Sequence, residues 1–336
     1  MKKLFIGIFV SIIFIYFIGT KYDFQKEFSK FGDKISIAYL IPITVTQLIG
    51  LVIFSFRWRL LIEKKINLKH AISSSFIGYA ANMVLPARGG DLFRVFYCRS
   101  ETDVQYFHLL SKLFIEKVID FIFVILAGVI AFFIIGLNRP EQQSYAVFTV
   151  SGVIVLGILF SLYLIRFQNE FIQIVSTKLF KLVGKETFYK DHIEVHLADL
   201  KDFLQVKKFI YPMIFTIISW CFYFANYYYV NVMLGGELTY AEIMFLLFCG
   251  AMSLALPSAP SGIGVFHASI ISGFILIGKD SNYGLLYATA LHLISFVNIT
   301  VTGLIFYLYW TYRRRHGKSG KLPGKSGKLP SDLENT

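Results

Sequence analysis

Charge is scarce in this sequence. Asp, Glu, Lys and Arg make up 16 % of 336 residues, too little to cover a water-soluble domain of this size. Cysteine is scarcer still. Cys98, Cys221 and Cys249 show no CxxC spacing, which excludes a disulfide framework or a zinc site of that pattern and leaves three small core residues. No Walker loop is present, so direct drive by ATP is not expected. No metal or cofactor is expected either. The formal net charge is +12, a balance found in nucleic-acid binders and in membrane proteins alike. No basic stretch is embedded in a nucleic-acid fold, so nucleic acid is not an expected partner.

Apolar residues are abundant. They reach 56 %, with 35 Phe and 20 Tyr, and the mean hydropathy is +0.61. They stand in long blocks, which predicts an all-α polytopic membrane protein. Six segments suit full spans: 4–19, 35–56, 118–137, 145–165, 209–234 and 285–310. The first follows Lys2 and Lys3 but has no small-x-small cleavage site after it, so it reads as a retained helix and not a signal peptide. Two further apolar regions, 70–97 and 240–279, are broken by Pro and Gly and read as re-entrant hairpins. Six crossings put both termini on one side. That side then holds 27 of the 33 Lys and Arg, which predicts a cell-membrane protein with both termini in the cytoplasm.

The domain expectation is a transmembrane unit over 1–312 and a disordered basic tail over 313–336. The tail carries a tandem repeat of Gly-Lys-Ser-Gly-Lys-Leu-Pro at 317–323 and 324–330, a composition that cannot bury a core. Residues 166–208 read as a cytoplasmic linker of short amphipathic helices, with Phe171, Val175, Leu197 and Leu204 at helical spacings. Arg313, Arg314 and Arg315 follow Trp310 and Tyr312, an interfacial anchor that also suits anionic lipid. Trp58 between Arg57 and Arg59 reads as a second such anchor.

Three motifs carry chemistry. The first runs from Asn82 through Pro86, Arg88, Gly89, Gly90 and Asp91 to Arg94. Pro86 stops an apolar approach, and the two glycines permit a bend. A helix restarting there puts Arg88, Asp91 and Arg94 on one face. A carboxylate flanked by two guanidinium groups can be fully paired, or can leave one fork for a phosphate. The second motif is Glu116-Lys117-Val-Ile-Asp120, whose two acids lie one helical turn apart. Asp120 is expected to face the interior and to pair with a cation, with Arg88 and Arg94 as candidates. The third is Pro257-Ser258-Ala-Pro260-Ser-Gly262-Ile-Gly264, followed by His267. His267 and His292 read first as hydrogen-bonded packing residues. Two Pro/Gly-broken segments in corresponding places of oppositely oriented halves are the sign of an inverted repeat with a binding site between them.

These three motifs, in this order, resemble the lysylphosphatidylglycerol synthase transmembrane region, also called the flippase-like family, over residues 5–312. Asp91 stands where relatives often have Glu, Glu116-Lys117 where they have Glu-Arg, and His267 where they often have Glu. The resemblance implies a lipid-handling membrane domain. In the best understood relatives the region precedes an aminoacyl-transferase domain and translocates its product lipid; in others it is joined to glycosyltransferases acting on polyprenol-linked sugars. This sequence carries neither, so lipid aminoacylation is not expected.

The leading expectation is therefore movement of a phospholipid or polyprenyl-phosphate lipid between leaflets. Arg88 and Arg94 would hold the phosphate, and Asp91, Glu116, Lys117 and Asp120 would form the charge network. Two other readings stand beside it. One is a membrane-embedded glycosyltransferase or its accessory subunit in envelope synthesis, against which the external loops offer no DxD pattern. The other is a non-catalytic scaffold for an envelope complex. Oligomeric state is not legible.

Overall fold

The computed structural model describes Tyr16, Thr20 and residues 36–63, 65–85, 88–136, 206–253 and 259–316. Among these are eight α-helices and no strand: α1 (Ile37–Leu61), α2 (Leu68–Val84), α3 (Gly89–Glu101), α4 (Tyr106–Gly136), α5 (Val206–Met233), α6 (Tyr240–Ser253), α7 (Val265–Leu276) and α8 (Ser281–His316). A 3₁₀ turn at Pro260–Gly262 precedes α7. The expected span at 4–19, apart from Tyr16, and the one at 145–165 lie outside the described residues, as do most of the linker at 166–208, Pro86, Pro257 and Ser258.

Three helices, α1, α4 and α8, are long and apolar enough to cross a membrane. Their outward faces are stripes of large apolar side chains. Ile37, Ile41, Val45 and Ile49 recur every fourth residue on α1, and Phe107, Phe114 and Phe121 every seventh on α4; all are exposed. Such continuous apolar surface suits hydrocarbon as its solvent.

Local chemistry sets the ends. Leu85 is extended, as a residue preceding proline must be. Thr239 and Glu242 form a reciprocal capping box at the start of α6: Thr239 N donates to Glu242 Oε2 (2.8 Å), and Glu242 N to Thr239 Oγ1 (3.3 Å). The carboxylate of Asp280 accepts from the amides of Asn282 and Tyr283 and so starts α8. The basic run Arg313–His316 forms the last turn of α8, where cations suit the helix dipole. The segment read as a disordered tail from 313 thus begins as four residues of helix.

Two large apolar clusters, with three smaller ones, hold the described helices together. One joins the C-terminal part of α5 to α6, α7 and the first half of α8 through Val230, Leu246, Phe274 and Tyr287. The other joins the end of α1 to α2, α3 and the start of α4 through Trp58, Ile77, Val95 and Leu109, and reaches Phe306 and Trp310 of α8. Helices meet closely where glycine stands. A Cβ on Gly303 would lie 2.2 Å from Ala80 Cβ, so only glycine lets α8 approach α2 this closely. Asn298 ties α8 to α1, donating to Thr44 Oγ1 and Gln47 Oε1 at 3.0 Å each.

The charged residues correct the expected span boundaries. The 35–56 and 118–137 segments would leave every Lys and Arg outside the spans. Yet α1 runs on through Arg57 and Arg59, and α4 begins twelve residues early and takes in Lys112, Glu116 and Lys117. These charges do not end the helices because most of them find partners inside the protein.

Candidate functional site

The site assembles at the junction of α2 and α3. Arg88 adopts a left-handed conformation (φ 57°) immediately before Gly89. The bend therefore falls on an arginine, and the two glycines expected to make it lie inside α3. Gly90 serves close packing instead: a Cβ there would lie 2.0 Å from the carbonyl oxygen of Gly78 and 2.5 Å from the amide of Asn82. Gly89 is less confined, with Leu85 Cβ at 3.3 Å.

That contact places Asn82 beside Asp91. Asn82 Nδ2 donates to Asp91 Oδ1 (3.3 Å), and the Asp91 amide donates to Asn82 Oδ1 (3.2 Å). Asp91 stands in the first turn of α3, where the helix dipole favours a carboxylate. Lys117 Nζ donates to it at 3.1 Å, and Arg88 Nε lies 4.0 Å away. Arg88 and Lys117 keep 42 % and 30 % of their side chains exposed. Both reach the rim of the site.

Arg94 does not. It is 1 % exposed, and its Nη2 donates to Glu116 Oε1 at 2.5 Å. Its guanidinium lies 4.2 Å from the centre of the Trp58 ring. In this structure Arg94 lies away from the rim and anchors α3 to α4 within the protein. The same geometry corrects Trp58, which is fully buried, donates to Cys98 Sγ at 3.4 Å, and is no interfacial anchor.

Asp120 faces inward but pairs with neither expected arginine. Its partner is Arg57 of α1, in a bidentate contact of 2.6 and 2.8 Å. Arg57 is fully buried and also donates to Thr216 Oγ1 of α5 (2.8 Å). Trp220 Nε1 donates to Asp120 Oδ1 (3.2 Å). The pair therefore binds α1, α4 and α5. Sequence reasoning misses Arg57, Thr216 and Trp220 because the expected span stops at residue 56 and leaves Arg57 in the flank of an interfacial anchor. The signal lay in Glu116 and Asp120 together, since two inward carboxylates one turn apart call for two cations. Nearby, burial raises the affinity of Glu63 for its proton, but Lys112 and Lys65 beside it hold its carboxyl below the usual range.

The turn before α7 meets the end of α2. It contains three residues at positive φ, Ser261 (62°), Gly262 (73°) and Gly264 (84°). Glycine meets this need at 262 and 264. Ser261 Oγ lies 3.4 Å from Met83 Sδ, next to Asn82. It also lies 2.5 Å from His292 Nε2 of α8, whose ring stacks edge-on to His267 at 5.1 Å between centres. Pro260 opens the turn. Met83 and Ser261 were not singled out from sequence, because neither has chemistry that marks it without the partner.

Among the described residues, four cations (Arg57, Arg88, Arg94 and Lys117) and three carboxylates (Asp91, Glu116 and Asp120) make up this network, an excess of one positive charge. No cluster of His, Cys, Asp and Glu there could hold a metal ion. Arrays of this kind can steady an anionic headgroup at the rim while their buried part fixes the helices.

The chain is similar to two membrane proteins. It is 19 % identical over 331 residues to the UPF0104 membrane protein PH1989 of Pyrococcus horikoshii, covering 92 % of this chain and 97 % of that one. It is 26 % identical over 235 residues to the UPF0104 membrane protein MJ1078 of Methanocaldococcus jannaschii, covering 67 % and 92 %. No solved structure matches it. The lysylphosphatidylglycerol synthase TM region matches residues 4–303, nine-tenths of the chain, and this integral membrane protein belongs to that family.

Proposed function

We propose that this protein translocates a phosphate-bearing lipid, a phospholipid or a polyprenyl phosphate, between membrane leaflets. The observation that carries the reading is the contact of Met83, near the end of α2, with Ser261, in the turn before α7, beside a charged rim with a surplus of positive charge; in this reading the two places are the tips of the two hairpins. A headgroup entering between the tips would meet Arg88 first, with Lys117 behind it and Asp91 holding both in register. Arg94 and Glu116 would keep α3 and α4 fixed while the tips part. Gly262 and Gly264, at torsions other residues resist, give the second tip a backbone that can approach the lipid.

The proposed topology has six crossings with α2–α3 and α6–α7 as re-entrant hairpins, both termini in the cytoplasm, and the cell membrane as location. The hairpins would then enter from opposite faces and meet near the midplane, as inverted repeats do around a transported substrate. The transmembrane unit would extend over 1–312, and an envelope-synthesis enzyme would be the natural supplier or consumer of the lipid.

The test is movement of fluorescent phospholipids and of a polyprenyl phosphate in liposomes holding the purified protein. The expected result is transfer by the parent and at least a tenfold loss in Arg88→Ala with its elution profile unchanged. Full activity in a folded Arg88→Ala protein would overturn the site. No movement of any lipid by the parent would overturn the function and favour an accessory role in envelope synthesis.

A further inference from the structure

A second cationic site lies at the other end of α2. Thirteen residues separate Lys69 from Asn82 along this helix, about 20 Å at 1.5 Å per residue. There the start of α2, the end of α3 and the last turns of α8 enclose a cleft of about 130 Å³. That is several times the ~10–15 Å³ that one water needs, enough for a phosphate group.

Lys69, His70, Arg313 and Arg314 line this cleft with a single carboxylate, Glu101. The carboxylate is well occupied: it accepts from Trp310 Nε1 (2.6 Å) and faces Arg314 Nε (3.8 Å) and His70 Nδ1 (3.7 Å). Aromatic side chains hold the cations in place. Lys69 Nζ donates to Tyr309 OH at 2.7 Å, and Arg314 lies 5.0 Å from the centre of the Trp310 ring. Three permanent cations against one carboxylate leave a fixed charge of +2 before His70 is counted. Arg forks and a Lys ammonium around a small cleft are the donor set for phosphate oxygens. Tyr309, Trp310 and the exposed Tyr312 mark headgroup depth on α8.

We infer that this cleft is a binding site for a phosphomonoester or phosphodiester anion, separate from the hairpin tips. It does not rest on the translocation reading. Lys69 and Arg313 supply the charge, and Glu101 sets the geometry and moderates the affinity.

Native mass spectrometry of the full chain in detergent tests it, with phosphatidylglycerol, phosphatidylcholine or inorganic phosphate added. The parent is expected to retain phosphatidylglycerol at concentrations at least tenfold below those needed for phosphatidylcholine. Lys69→Gln/Arg313→Gln should lose that preference. Arg99→Gln/Arg315→Gln removes the same charge outside the cleft and should keep it. Inorganic phosphate that displaces the lipid at millimolar concentration supports the site with a soluble phosphate as its source; failure to displace supports the lipid as the source. Equal loss in both double variants would overturn the site and leave general surface charge. Glu101→Gln gives an independent reading should the cleft variant not fold. It should bind several-fold more tightly, and unchanged or weaker binding would overturn the inference.

Discussion

Removing the charge of Asp120 is the sharpest test of how the bundle is held. Arg57 is fully buried, and its two terminal nitrogens sit on Asp120 at 2.6 and 2.8 Å. Asp120→Asn keeps the shape but leaves a buried guanidinium without its counter-charge. Breaking one side of a buried pair costs about 3–5 kcal/mol. At 1.4 kcal/mol per decade, that is a loss of about two to three and a half decades in the folding equilibrium. Arg57→Met alone should cost a similar amount, because the carboxylate is then orphaned. Arg57→Met with Asp120→Leu should recover most of the loss, since apolar replacement of a whole buried pair is often neutral. Lys279→Gln serves as the control. Its ion pair with Glu242 is long (3.4 Å), and the lysine is 41 % exposed, so the effect should stay below about 1 kcal/mol. Reversible unfolding in mixed micelles, followed by tryptophan fluorescence, reads all four variants, and Trp220 reports on the pair directly. If Asp120→Asn matches the Lys279→Gln control, the pair does not tie α1 to α4 and α5.

Other outcomes follow from the same geometry. Gly90→Ala should lower the unfolding temperature far more than Gly89→Ala, because the new Cβ would meet backbone at 2.0 Å in the first case and a side chain at 3.3 Å in the second. Arg88→Gly should leave the fold intact or firmer, since glycine relieves about 1–2 kcal/mol of left-handed strain, while lipid movement in liposomes is lost. Glu116→Gln should destabilise more than Lys117→Gln in thermal unfolding, because Arg94 is buried against Glu116 whereas Lys117 is partly exposed.

The long apolar blocks made the membrane class and helices α1, α5 and α8 legible, since hydropathy over about 20 residues is a local property; the family was legible from the three ordered motifs. The grouping of Asp91, Glu116 and Lys117 was legible in part, because an inward acid demands a cation. Which cation was not. Arg57 lies 63 positions from Asp120, and only packing brings them together. The same limit misplaced the start of α4: Lys112, Glu116 and Lys117 look like a loop when unpaired and belong in a helix when paired. The glycine pair read as a bend because chain reversal is the local reason for glycine. Its reason at Gly90 is the backbone of Gly78 on another helix.

In the proposed function, lipid passes between the hairpin tips. Cysteines at Met83 and Ser261, in a chain whose Cys98, Cys221 and Cys249 are replaced, can be bridged by a short thiol-specific crosslinker that dithiothreitol releases. Leaflet exchange of fluorescent lipid in liposomes is then measured before bridging, after bridging and after release. Exchange should fall at least tenfold on bridging and return on release. Exchange at the parent's rate in the fully bridged protein would contradict passage between the tips.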